Sequence, residues 1–215
     1  MNPITALFYV FSAVLLLAAF RVITARSTVH AALFLVLAFF SASCLWMLLR
    51  AAPRPCFNQA LIEDIMTLAQ AAKESSLRFD FWVTGSLVPN MFNVGGDLQF
   101  FAEAIKNRRR EAMMAYARAC IDCVHAAARG FDTGAVSIAM VEGSALGGGF
   151  EAALAHHFVL AQNNARMGFP EIAFNLFPGM GGYSLVARKA GMRLAEELIW
   201  GGESHTAEWF ESRGL

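Results

Sequence analysis

The chain has 215 residues, 57% of them hydrophobic, with 17 basic against 17 acidic side chains and a mean hydropathy of +0.47. That is too apolar for an ordinary soluble domain, and the even charge balance lacks the basic excess that a nucleic-acid surface needs. The apolar character is concentrated at one end: residues 1–51 hold Arg21, Arg26 and Arg50 and no acid, whereas 52–215 is normally charged and slightly acidic.

The stretches ITALFYVFSAVLLLAAF (4–20) and AALFLVLAFFSASCLWMLL (31–49) carry no charge. At about 1.5 Å of rise per residue, each crosses or nearly crosses a hydrocarbon core of about 30 Å. A two-helix transmembrane hairpin over 1–51 is therefore expected, in contact with a lipid bilayer through residues 4–20 and 31–49. No positive segment precedes the first stretch, which argues against a signal peptide. Arg21 and Arg26 in the connecting loop are offset by Arg50 and Arg54 beyond it, so the charge bias is nearly balanced.

From residue 57 the pattern changes. FNQALIEDIMTLAQAAKES (57–75) places Leu61, Ile65, Leu68 and Ala72 at helical spacing, and FDFWVTGS (79–86) reads as a short strand ending at a glycine. A loop, LVPNMFNVGGDL (87–98), is followed by helical stretches to about Arg129, with Arg108-Arg109-Arg110 as a solvated helix junction. AVSIAMVEG (135–143) is a buried strand, GGGFEAALAHH (147–157) opens a helix, and HFVLA (157–161) is strand-like again. Such alternation predicts an α/β domain over 52–215. Cys120-Ile-Asp-Cys123 has redox or half-zinc spacing, but no second pair follows, so it reads as two small residues on a helix, with no metal.

Glu151 and Glu171 stand out because each sits among apolar neighbours, in GGGFEAALA and MGFPEIAFNLF. Burial there raises a carboxyl pKa, and two such acids facing one substrate can share the addition or removal of water, one handling a proton on carbon and the other the hydroxyl. Two glycine turns, NVGGDL (93–98) and LGGGFE (146–151), allow close backbone approach and leave N–H groups free to hold an oxygen as it becomes an enolate. Neither turn has the dinucleotide glycine spacing or a P-loop lysine, which weakens the rival phosphate reading.

At these residues the sequence resembles the crotonase (enoyl-CoA hydratase/isomerase) superfamily, carried by MVEGSALGGGFEAALAHHFVLAQNNARMGFPEIAFNLFPGMGGYSLVARKAG; PRPCFNQAL and VPNMFNVGGDLQFF look most like the diffusible-signal-factor synthases. The resemblance implies a ββα-spiral core acting on an acyl-CoA or acyl carrier protein thioester without a cofactor, in the synthases by dehydrating a 3-hydroxyacyl chain and releasing free fatty acid. It places the catalytic acids at Glu151 and Glu171, the oxyanion N–H groups at Val94, with Gly95 adjacent, and at Gly148, and substrate contacts at Gly96, Asp97, Gly147 and Pro170. His156-His157 stands where relatives often have a small residue and an aspartate. The family's first β-hairpin and C-terminal helices are not recognisable, although CLWMLLRA fits either the last hairpin strand or a membrane helix. A truncated crotonase domain is thus expected, with apolar surface that favours a homo-oligomer and with activity that truncation impairs.

Residues 1–50 resemble a different family, the start of subunit J of the proton-pumping NADH–quinone oxidoreductase, through LFYVFSAVLLLAAFRVITARSTVHAALFLVLAFFSASCLWMLL. That resemblance implies the alternative of a membrane subunit fragment with no catalytic role, or an accidental fusion of two genes. If the joint is genuine, the catalytic domain is expected at the inner membrane facing the cytoplasm, where acyl-CoA and acyl carrier protein are found.

Overall fold

The computed structural model describes Ala13, Val14, Leu17 and residues 55–215. The chain divides into two units, Met1–Ala51 and Ala52–Leu215, and the second is described here by itself. The hairpin expected over 4–20 and 31–49 lies outside the described residues, apart from the three helical positions 13, 14 and 17. Among the described residues, no helix is long and apolar enough to cross a membrane.

Helix α1 (Gln59–Glu74) starts where Asn58 caps it, its Oδ1 accepting from Leu61 N–H at 2.9 Å, and buries Ile62, Ala69 and Ala72. Strands β1 (Phe81–Thr84) and β2 (Met91–Asn93) follow, then helices α2 (Leu98–Lys106) and α3 (Arg110–Ala128). The three arginines fall at the junction of these helices, where Arg108 adopts φ +51° in the exposed turn. Strands β3 (Val136–Val141) and β4 (Ser144–Leu146) lead into helix α4 (Gly148–Ala155), and strands β5 (Phe158–Ala161) and β6 (Arg166–Gly168) into a short 3-10 helix, Pro170–Phe174. Helices α5 (Gly182–Ala190) and α6 (Met192–Gly201), strand β7 (Ser204–Thr206) and helix α7 (Ala207–Glu211) complete the chain.

The strands alternate between two sheets. One has the order β1-β3-β5 and the other β2-β4-β6-β7, with every pairing parallel except β6 with β7. Each turn of the chain thus contributes one strand to each sheet before a helix or loop returns it, as parallel pairing demands. β3 shows the period of two: Ser137, Ala139 and Val141 are buried, while Val136, Ile138 and Met140 are half-buried. The main core collects Phe150, Phe169, Leu198 and Val186, none more than 1% exposed.

Two features of this architecture place the site. Asn93 at the end of β2 pairs with Ala145 of β4, so the chain leaves both strands side by side at their C-terminal ends. There it enters the two glycine turns, one leading to α2 and the other to α4. The strand β2 lies within the segment expected as loop, because three residues are too few to show a period.

Candidate active site

The second turn is built around Gly147. It caps α4 with φ +54° and ψ −127°, a conformation that disfavours any side chain, and its N–H donates to Gly168 O at 2.9 Å. Glu151 follows one helical turn later and is 1% exposed. Its Oε1 accepts from Met180 N–H at 2.8 Å and from Gly182 N–H at 2.7 Å, the backbone of the glycine-rich turn that opens α5. Burial above all, with a smaller push from the neighbouring Glu171, raises its carboxyl to about 7 against the pull of these N–H donors.

Glu171 sits in the first turn of the 3-10 helix, immediately after Pro170, whose fixed φ suits a helix start. Its carboxyl is also raised by burial. The Oε2 atom is buried and has no hydrogen-bond partner among the described residues. Leaving such an oxygen unpaired costs about 1–3 kcal/mol, the signature of a group that serves something other than stability.

The first turn shows which of its amides are spoken for. Val94 N–H donates to Pro55 O at 2.7 Å, Gly95 N–H to Asn93 Oδ1 at 2.7 Å, and Asp97 N–H to Tyr116 Oη at 2.9 Å. The N–H of Gly96, between them, makes no hydrogen bond among the described residues, and neither does the N–H of Gly148. The two turns touch: a β-carbon on Gly95 would lie 2.9 Å from Gly148 N.

The geometry corrects two of the expected roles. Val94 and Gly95 do not offer a free N–H, because Pro55 and Asn93 already accept from them; the open donor of this turn is Gly96. The Asp97 carboxylate caps α2, accepting from Gln99 N–H and Phe100 N–H at 3.1 Å each. Glu151, Glu171, Gly96, Gly147, Gly148 and Pro170 all belong to the two turns or to the elements that meet them. Asn93, Tyr116, Met180 and Gly182 were missed. An asparagine two residues before a glycine was a readable turn signal, but nothing in sequence marked Tyr116.

His156 and His157 are satisfied within the fold. His156 is buried, with Nδ1 2.8 Å from Ala152 O and Nε2 2.8 Å from Thr84 Oγ1, and burial lowers it to about 4, so it is neutral. His157 Nδ1 accepts from Ser137 N–H at 2.9 Å.

Residues 40–215 match the family described as enoyl-CoA hydratase/isomerase. The chain belongs to this family. The match begins inside the stretch 31–49 read as a second membrane helix. The chain is 33% identical over 170 residues to the 2,3-dehydroadipyl-CoA hydratase of Escherichia coli, covering 77% of this chain and 61% of that protein. It is 33% identical over 166 residues to a glyoxysomal fatty acid beta-oxidation multifunctional protein of Brassica napus, covering 75% of this chain and 22% of that protein. Among solved structures it is similar to Pseudomonas aeruginosa DspI, with a TM-score of 0.66 and 30% identity, over 76% of this chain and 64% of DspI.

Proposed function

We propose that the chain hydrates a 2-enoyl thioester, or runs the reverse dehydration of a 3-hydroxyacyl thioester. The observation that carries this reading is the juxtaposition of Glu151 and Glu171, both raised by burial, with the N–H groups of Gly96 and Gly148, which have no partner among the described residues. In the dehydrating direction, one carboxylate takes the proton from C2. The developing enolate oxygen is held by the Gly96 and Gly148 N–H groups. The C3–O bond then breaks as the second carboxyl delivers its proton to the departing hydroxyl, which leaves as water. Hydration is the same sequence reversed. A carboxyl near pH 7 suits both halves of such an exchange, since it gives and takes protons with equal ease. The scheme needs no cofactor.

An acyl-CoA substrate is supported by the enoyl-CoA hydratase/isomerase family match and by the E. coli relative, a 2,3-dehydroadipyl-CoA hydratase. The PRPCFNQAL and VPNMFNVGGDLQFF segments support the narrower reading of a signal-factor-synthase-like enzyme that uses acyl carrier protein and releases free acid. The exposed Ile172, Phe174, Leu176 and Phe177 directly follow Glu171 and suit an apolar acyl chain, while the exposed Met192 and Trp200 of α6 suit a homo-oligomer. Cytoplasmic thioester carriers favour a domain that faces the cytoplasm, with residues 4–20 and 31–49 in the inner membrane.

The test offers the full-length chain 3-hydroxydecanoyl-CoA and the same acyl group on acyl carrier protein, with products read by mass spectrometry. Loss of water from either supports the reading, and free 2-decenoic acid from the carrier protein alone supports the narrower one. If neither thioester is consumed, the enzymatic reading is wrong.

A further inference from the structure

We propose that Tyr116 is a positioning residue for the first oxyanion donor: its hydroxyl, inserted between Asp97 N–H and Phe57 O, sets the direction of the Gly96 N–H. This assignment rests on the acyl-thioester reading above. Residues 55–57 run beside 94–97 as a short parallel ladder. Val94 N–H donates to Pro55 O at 2.7 Å, Phe57 N–H donates to Gly95 O at 2.8 Å, and Phe57 bridges Gly96. In a regular parallel ladder, the next rung carries Asp97 N–H directly to Phe57 O. Here that rung contains an extra atom. Asp97 N–H donates to Tyr116 Oη at 2.9 Å, and the hydroxyl in turn donates to Phe57 O at 2.5 Å.

The inserted oxygen holds the two backbones apart one peptide beyond the Gly96 N–H. With the amides of Gly95 and Asp97 on either side bonded within the fold, the Gly96 amide is left as the open donor of the turn among the described residues. The hydroxyl has little freedom of its own. Its ring stacks on Phe100 at 4.9 Å and meets Phe101 edge-on at 5.5 Å, both from α2, the helix that this turn opens. A β-carbon on Gly96 would lie 3.7 Å from Oη and 2.8 Å from the Phe101 ring, so the tyrosine, the ring beside it and the glycine form one packed unit. Burial raises the phenol further above its ordinary range, which keeps the proton that Phe57 O receives. These contacts are made to the backbone of the turn and to α2, so the role is exercised through Gly96.

Tyr116→Phe removes one oxygen and keeps the ring. The full-length variant and wild type are compared in crotonyl-CoA hydration and in binding of para-dimethylaminocinnamoyl-CoA, whose absorption moves to the red as its thioester carbonyl is polarised. The expected result is a fall in kcat of about tenfold or more with KM within about twofold, because the misdirected donor acts on the transition state. The red shift of the bound probe shrinks while its Kd is kept. Trp82→Leu, which breaks the Trp82–Phe131 stack at 3.9 Å beside the other sheet, serves as the packing control and is expected to lower Tm while leaving the red shift intact. An unchanged kcat and red shift in Tyr116→Phe overturns the assignment, as does an equal loss of red shift in Trp82→Leu. A Tyr116→Phe chain that no longer binds the probe also overturns it, since the hydroxyl then serves folding alone. If wild type itself neither turns over crotonyl-CoA nor shifts the probe, the acyl-thioester reading fails and takes the assignment with it, a result distinct from an active wild type with an indifferent Tyr116→Phe.

Discussion

A β-carbon built on Gly147 would stand 2.6 Å from Glu171 Oε1, so the carboxylate of the 3-10 helix rests against the glycine that opens α4. Gly147→Ala therefore meets two obstacles, a strained backbone at φ +54° and a displaced Glu171. The strain costs roughly 1–3 kcal/mol, and a shift of about 1 Å in a catalytic group lowers turnover by about a hundredfold. Thermal melting and crotonyl-CoA hydration are expected to show both losses together. A variant that melts lower but keeps wild-type kcat would mean that Glu171 does not depend on this contact.

Gly95→Ala is expected to separate the two turns. Its φ of +89° is unfavourable for alanine, and the added carbon would press on Gly148 N at 2.9 Å and Leu146 O at 3.2 Å, both backbone atoms that cannot swing aside. Because the Gly96 and Gly148 N–H groups must converge on one oxygen, losing their alignment removes about 10²–10³ in kcat. The red shift of a bound cinnamoyl thioester checks this directly, and a full shift in Gly95→Ala would show that the turns tolerate separation.

Glu151 and His156 bias stability in opposite directions with pH. Burial lifts Glu151 from 4.5 to about 7, so between these values the unfolded chain ionises while the folded chain holds its proton. The stability this group allows is present below pH 4.5 and lost as pH rises to about 7. His156 is lowered from 6.5 to about 4, so its contribution is present above 6.5 and lost as pH falls toward 4. The two slopes oppose each other in the wild type. Glu151→Gln removes one while leaving an oxygen to accept from Met180 and Gly182 N–H. Urea unfolding is expected to show the variant gaining on wild type from pH 4.5 to 7, by roughly 3 kcal/mol at the upper end, even as its kcat falls by about 10²–10⁴. A stability difference that does not change with pH would mean that Glu151 is not held protonated by burial.

The acids of the site were legible because an acid flanked by glycine and apolar residues is rare and has a physical cost, and this picked out Glu151 and Glu171. The longer elements were legible too: the helix expected over 57–75 is α1, and the strand expected over 135–143 contains β3. The three-residue strands β2, β4, β6 and β7 were not, since they are too short to carry a period and are fixed by their sheet partners. The donor in the first turn was misplaced for a related reason. Which of four successive amides stays free is decided by Pro55 O, Asn93 Oδ1 and Tyr116 Oη, and two of those three acceptors come from far along the chain. The capping role of Asp97 was within reach, because an aspartate directly before LQFFAEAIK is a helix-start signal.

The central claim is that Glu151 and Glu171 move protons between water and an acyl thioester whose carbonyl is held by Gly96 and Gly148. It is tested most directly by incubating the full-length chain with crotonyl-CoA in oxygen-18 water and reading the 3-hydroxybutyryl-CoA formed by mass spectrometry. The account predicts heavy oxygen at C3 with wild type and its loss with Glu151→Gln and with Glu171→Gln, each shown to be folded by circular dichroism. Labelled product formed equally well by either variant, or none formed by folded wild type, would contradict it.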